Sequence, residues 1–150
     1  MINFNKVSPV NLDDIIVTRL KRIPTTGGDV LHALKKNDVG FNGFGEAYFS
    51  WIDYGLIKAW KCHQSMCLNL VVPVGMVRLV FHLLDNPDEF RTVEIGEQNY
   101  NRVTVPPRIW FGFQGLNKSR NMLMNISDIV HDPCEVKSCQ IESFSYVWDI

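Results

Sequence analysis

From residue 45 onward the chain is written with a period of two. The segments EAYFSWI, LIKAWKCH, CLNLVVPV, MVRLVFHLL, RTVEI, NRVTVP, IWFGF, NMLMNI and SFSYVW are short and rich in β-branched or aromatic residues, with Gly, Pro, Asn or Asp between most of them. About nine strands at such close spacing have few ways to bury their apolar faces, and they imply a sandwich or a barrel. Between them, PVG at 73–75 and LDNPDEF at 84–90 read as turns, because Pro fixes φ and Gly or Asn tolerates the positive φ of tight turns. The one helical candidate is GGDVLHALKK (27–36), where Asp29 can cap, Val30, Leu31 and Leu34 recur at helical spacing, and His32 falls on the solvent side. The predicted architecture is therefore all-β, antiparallel, with a short N-terminal helical element.

A chain of 150 residues fits one domain spanning 1–150. Its nine Phe, four Tyr and four Trp supply the bulk to close a core. Fifteen Lys+Arg against sixteen Asp+Glu, with no long basic stretch, argue against a nucleic-acid partner. No apolar run approaches the roughly 18 residues of a bilayer span, and MINFNKVSPVNLDDIIVTRLKRI lacks a signal-peptide core, so a soluble cytoplasmic protein is expected. Cys62 and Cys67, and again Cys134 and Cys139, have four residues between them. Structural zinc pairs usually carry two to four, and Cys62 and Cys67 fall inside predicted strand, so reduced thiols are the expectation.

Alternation on KAWKCH puts Ala59, Lys61 and His63 on one face and Lys58, Trp60 and Cys62 on the other. Further along, Asn69 alternates with Leu68 and Leu70, while Arg78 and His82 share a face opposed to Val77, Leu79 and Phe81. The polar positions are few and chemically pointed, which suits a partly enclosed cavity better than a solvated sheet face.

The ordered series GFGEAYFSWIDYGLIKAWKCH, CLNLVVPVGMVRLVF, VTVPPRIWFGFQGL and NISDIVHDPCEV resembles the cupin-fold dTDP-4-dehydrorhamnose 3,5-epimerase family, especially its short sugar-epimerase-like members. The resemblance covers about residues 40–148. It implies a jelly-roll β-barrel and a homodimer, with INFNKV or DIIVTRL as candidate intersubunit strands. It also implies proton removal next to the C4 ketone of a nucleotide-linked 4-keto-6-deoxy sugar, in surface-polysaccharide biosynthesis. In such a family a histidine oriented by a carboxylate is the base, and a tyrosine on a later strand returns the proton from the opposite side. Here KAWK occupies the family's Arg/Lys-Gly-Leu/Trp-His element, with Lys58 at the basic position, Lys61 where histidine is expected, and His63 where short members carry a second one. The Ile-Pro-Pro/Glu-Gly-x-x-His-Gly-Phe element corresponds to 105–113, with Phe111 in place of its histidine. The tyrosine position falls near Met124, which cannot donate a proton, and the nearest counterpart of the orienting carboxylate is Glu142.

Metal-binding cupins use an H-x-H pair, a glutamate and a third histidine. Lys61, His63, Asn69 and Phe111 at those positions do not make such a donor set, so neither a metal nor another cofactor is expected. Proton transfer asks only for a group of suitable pKa within reach of the carbon acid, and His63 qualifies, with Lys61 assisting as a cation for the developing enolate oxygen. Lys58 and Arg108 are candidate diphosphate contacts, Tyr48 and Trp110 candidate stacking surfaces, and Asn69 and Glu142 further candidate substrate contacts. His82 and His131 are weaker candidates, the latter as a turn residue before Asp132-Pro133. Two readings stay open: an epimerase or isomerase, and a catalytically reduced relative that binds a sugar nucleotide without epimerising it. A tyrosine reaching the cavity from another strand separates them, and Tyr48 and Tyr146 are the candidates.

Overall fold

The computed structural model describes residues 8–149, and its strands pair antiparallel throughout. One five-stranded sheet is built from β1 (Ile16–Arg19), β4 (Glu46–Trp51), β6 (Leu68–Val74), β9 (Asn101–Val105) and β11 (Met122–Ser127), in the order β1-β9-β6-β11-β4. The second contains β5 (Ile57–His63), β7 (Met76–His82), β8 (Phe90–Gly96), β10 (Trp110–Gly115) and β12 (Val136–Ser138), in the order β12-β5-β10-β7-β8. β2 (Arg22–Ile23) and β3 (Val30–Leu31) form a separate small hairpin. The two large sheets close face to face as the expected jelly roll. Leu68, Leu70 and Val72 of β6 meet Val77, Leu79 and Phe81 of β7 in the core between them, so the period-two reading of these strands holds residue by residue. At the β6–β7 turn Gly75 has φ 78°, and a Cβ there would sit 2.1 Å from the Arg120 carbonyl oxygen, so only glycine fits.

The predicted helix over 27–36 does not form. Gly27 and Gly28 take φ 89° and 148° and turn the chain into β3, after which residues 32–41 run over the outer face of the first sheet. Tertiary bonds hold that segment open: Tyr100 Oη donates to the His32 carbonyl (2.8 Å), while the fully buried Arg102 guanidinium donates to the Ala33 and Val39 carbonyls (2.8 and 2.9 Å) and pairs with Asp38 (3.1 Å). A backbone carbonyl spent on a side chain is not available to a helix ladder. The helical elements among the described residues are 3-10 turns at Leu12–Asp14 and Ile141–Ser143. Of the candidate intersubunit strands, INFNKV lies outside the described residues, and DIIVTRL contributes β1, which pairs with β9 of its own chain.

The outer face of the second sheet is also covered. Phe144, Tyr146 and Trp148 pack onto Trp60, Val80, Phe90 and Trp110, with the ring of Phe144 5.2 Å from Trp60 and 4.4 Å from His82. The back of β5 is thereby sealed in apolar surroundings.

Candidate active site

Between the sheets lies a cavity of about 410 Å³, within the range of small-molecule sites. β5 supplies Lys58, Lys61 and His63 to one wall, and the opposite wall presents Tyr48 and Ser50 from β4 and Asn125 from β11. Strict alternation would put Lys58 and Lys61 on opposite faces. A bulge prevents this: Phe111 pairs with Lys61 but Phe113 with Lys58, so β5 carries an extra residue there and both lysines line the cavity. Gly112 faces the bulge, and a Cβ there would approach that of Ala59 to 2.5 Å.

His63 closes β5 and is buried, with its ring stacked at 6.2 Å on Phe111. Its Nδ1 is bonded to Oε1 of Glu135, itself buried. The other carboxylate oxygen, Oε2, accepts the backbone N–H groups of Gln64 (3.1 Å), Ser65 (3.0 Å) and Met66 (3.2 Å). Burial alone pushes the Glu135 carboxyl up, but the hydrogen bond from His63 and the N–H donors of Ser65 and Met66 outweigh it and hold the group below its ordinary value. An ionised carboxylate can only accept, so Nδ1 carries a proton, and in the neutral form of the ring the lone pair falls on Nε2. The loop that delivers Glu135 is built by its own sequence: Asp132 Oδ1 accepts from Cys134 N (2.9 Å) and the Asp132 carbonyl from Glu135 N (3.1 Å), a turn around Pro133. His63 is also fixed through its carbonyl, which accepts the N–H of Arg108 (2.6 Å), a residue held at φ 72°.

The lining contains Lys58, Lys61, His63 and His131 and no carboxylate among the described residues, since Glu135 sits behind His63. Lys58 Nζ donates to the Trp51 carbonyl (2.8 Å) and lies 6.0 Å from the Phe113 ring centre. On the facing wall Tyr48 and Asn125 are directly opposed in register, and Asn125 Nδ2 donates to Tyr48 Oη (2.8 Å). The cavity is thus suited to an anionic ligand with an apolar ring, with an imidazole on one side.

Four of the expected contacts lie elsewhere. Asn69 faces outward, donating to the Gly40 carbonyl (3.0 Å) and accepting from Thr104 Oγ1 (2.7 Å), because the covering segment 32–41 needs partners. Arg108 and Trp110 line a separate outer groove, since the 106–108 turn and the alternation of β10 direct them away from the cavity. Glu142 sits in an exposed 3-10 turn, and Glu135 takes the orienting place expected for it. Met124 points outward between the inward-facing Leu123 and Asn125, while Tyr146 and His82 belong to the outer aromatic cluster. His131, expected in a turn, lies just before the Asp132–Glu135 turn on an irregular segment, exposed at the cavity rim. Sequence reasoning missed Glu135, Asn125 and this placement of His131. All four cysteines are free, with burial pushing the Cys62 and Cys67 thiols up, and no three His, Cys, Asp or Glu side chains converge as a metal site among the described residues.

A dTDP sugar isomerase from Desulfovibrio desulfuricans G20 is 30% identical to this chain and superposes with a TM-score of 0.84, covering 89% of this chain and 90% of its own. The chain belongs to the cupin-fold family of sugar-nucleotide isomerases and epimerases. A dTDP-4-dehydrorhamnose 3,5-epimerase from Sulfolobus tokodaii shares the fold at 18% identity and a TM-score of 0.77, over 91% of this chain and 84% of that one. A "Probable low-salt glycan biosynthesis epimerase" from Haloferax volcanii is 26% identical over 91 residues, spanning 57% of this chain and 58% of that protein. No protein-family model matches the chain.

Proposed function

We propose that the protein is a metal-independent isomerase of a nucleotide-linked 4-keto sugar, acting in the biosynthesis of a surface polysaccharide. The observation that carries this is the His63–Glu135 pair: an imidazole with Nδ1 committed to a carboxylate, facing a cavity whose lining holds, among the described residues, two lysines and no carboxylate. Nε2 takes the proton alpha to the C4 ketone, the C–H electrons pass into the enolate, and the oxygen becomes an oxyanion. Lys61, two residues from the base on the same wall, supplies a cation for that oxygen, and Lys58 lies beside it to meet the diphosphate. Tyr48 contributes to the sugar-facing wall.

The nucleotide sugar is the partner this reading requires. A homodimer and a cytoplasmic location belong to the same proposal. The exposed Phe49 and Trp51 on the outer side of β4 support the former and the four free thiols the latter. Sedimentation at micromolar concentration tests the dimer.

The function is tested with dTDP-4-keto-6-deoxyglucose in D₂O. Wild-type protein should wash deuterium into the position next to the ketone, and His63→Asn should lower that rate about 10²–10⁴-fold with dTDP affinity nearly intact. Exchange that survives His63→Asn removes the base assignment. A tightly held transition metal found by elemental analysis refutes the metal-free mechanism.

A further inference from the structure

The outer face of the first sheet carries a second, smaller cleft of about 120 Å³, which shares no lining residue with the active-site cavity. It lies where the end of β1 and the residues after it meet Arg102 of β9 and the beginning of the 32–41 segment. Backbone bonds hold these walls in place: the Leu20 N–H donates to the Tyr100 carbonyl (3.0 Å) and the His32 N–H to the Lys21 carbonyl (2.9 Å). The cleft is thus formed without a ligand.

Its chemistry is lopsided. Arg19, Lys21, Lys35 and Arg102 line it beside His32, against one carboxylate among the described residues, that of Asp38. In a chain of formal net charge −1 this is a concentration of a single sign, and the cations repel one another. Asp38 is already engaged, because its Oδ2 accepts the Lys35 N–H (2.9 Å) and an N–H of Arg102 (3.1 Å). Arg102 is 0% exposed; Nη1 and Nη2 reach the Ala33 and Val39 carbonyls and Asp38, but Nε finds no hydrogen-bond partner among the described residues. A buried charged donor held only for packing would not be left so, since burial without an acceptor is costly.

We propose that this cleft is a binding site for a phosphate-type oxyanion, independent of the isomerase reading above. The volume is several times the roughly 30 Å³ share of one water, enough for a tetrahedral anion but not for a sugar or a base. The ligand is therefore free phosphate, or a phosphoryl group whose remainder stays outside. One oxygen gives the Arg102 guanidinium the acceptor it lacks, and the others meet the exposed ammonium groups of Lys21 and Lys35 at the rim. A single-atom halide cannot reach floor and rim together, and a carboxylate brings half the charge. Bound there, the anion ties the chain after β1 to the 32–41 segment and so to the sheet that the segment roofs.

The test is isothermal titration with sodium phosphate at constant ionic strength, with sodium chloride as the blank. Wild-type protein should take up phosphate saturably at millimolar concentration or below. Lys21→Gln/Lys35→Gln alters two exposed side chains, so it should keep the wild-type melting temperature in chloride and lose phosphate affinity about tenfold or more. Lys58→Met/Lys61→Met removes the same number of charges from the active-site cavity and should leave the affinity within about threefold. Arg102→Lys keeps the charge but removes the Nε–H, and should also weaken phosphate about tenfold; if that variant does not fold, the rim pair decides alone. Glucose 1-phosphate as a second titrant separates the sources: uptake of phosphate alone assigns the site to the free ion, and uptake of the ester at equal or greater affinity assigns it to a phosphoryl group of a larger molecule. Phosphate affinity within threefold of wild type in Lys21→Gln/Lys35→Gln or in folded Arg102→Lys overturns the proposal. So does a tenfold loss in Lys58→Met/Lys61→Met in their place, or no saturable uptake of either titrant by wild-type protein.

Discussion

Replacing Glu135 by Gln keeps shape and volume, removes the charge and exchanges one carboxylate oxygen for an NH₂ group. Three backbone N–H groups converge on Oε2, so the amide oxygen will stay there and the new NH₂ will face His63 Nδ1. Nδ1 must then accept, which moves the imidazole proton to Nε2, the atom that has to be bare for catalysis. A base held in the wrong tautomer loses about 10²–10⁴ in rate. The three backbone bonds fall from charge-assisted to neutral, about 1 kcal/mol each at most, so the variant should lose about 1–3 kcal/mol. For a domain of this size that is a drop in melting temperature of roughly 2–10 °C. The acid side gives a second signature. Because the folded-state pKa of Glu135 lies below its unfolded value, its contribution is complete above the ordinary carboxylate range and is lost as pH falls through the depressed folded value. Glu135→Gln should therefore flatten the acid limb of the stability profile while leaving neutral dTDP binding intact. Thermal unfolding from pH 3 to 8 and deuterium wash-in at pH 7 check both. Wild-type wash-in within threefold, or an unchanged acid limb, would refute the tautomer argument.

Arg108 sits at φ 72°, where a side chain costs about 1–2 kcal/mol, so Arg108→Gly should raise the free energy of unfolding by about 1 kcal/mol and leave dTDP affinity unchanged; a tenfold loss of affinity would place the guanidinium back in the site. Arg102→Met removes the cation that holds the Ala33 and Val39 carbonyls and Asp38, and should cost about 3 kcal/mol or more, with limited proteolysis cutting first within 32–41. Phe144→Ala strips one ring from both Trp60 and His82, and should cost about 2–4 kcal/mol with a red shift in tryptophan emission on an otherwise native fold.

The strands were legible because a period of two is a direct image of a sheet with one face in the core: Val77, Leu79 and Phe81 lie where alternation puts them. His63 and Lys61 could be found for the same reason. What alternation cannot express is a bulge, and so Lys58 was expected on the wrong face. The sparse polar groups on the outer faces also misled. Asn69, Arg78 and His82 are few not because they line a cavity but because those faces are roofed by residues 32–41 and 144–148. The helical spacing of Val30, Leu31 and Leu34 was overridden by Arg102, about seventy positions away. Glu135 carried a readable signal: Asp132-Pro133 builds a turn whose end is three residues on, and that offset, rather than the Asp-Pro pair, locates the carboxylate.

The two walls of the cavity differ in how firmly they are mounted. β5, which carries His63, is hydrogen-bonded on both sides, to β12 and β10, and is backed by packed aromatic rings. β4, which carries Tyr48, is the last strand of its sheet and, among the described residues, pairs only with β11. Amide exchange across β5 should therefore track global unfolding, whereas in the monomer β4 should exchange through local opening at far lower free energy. The base keeps one geometry while the facing hydroxyl can yield to sugars of different shape. In directed evolution of this scaffold, changes of substrate preference should collect on β4 and spare β5.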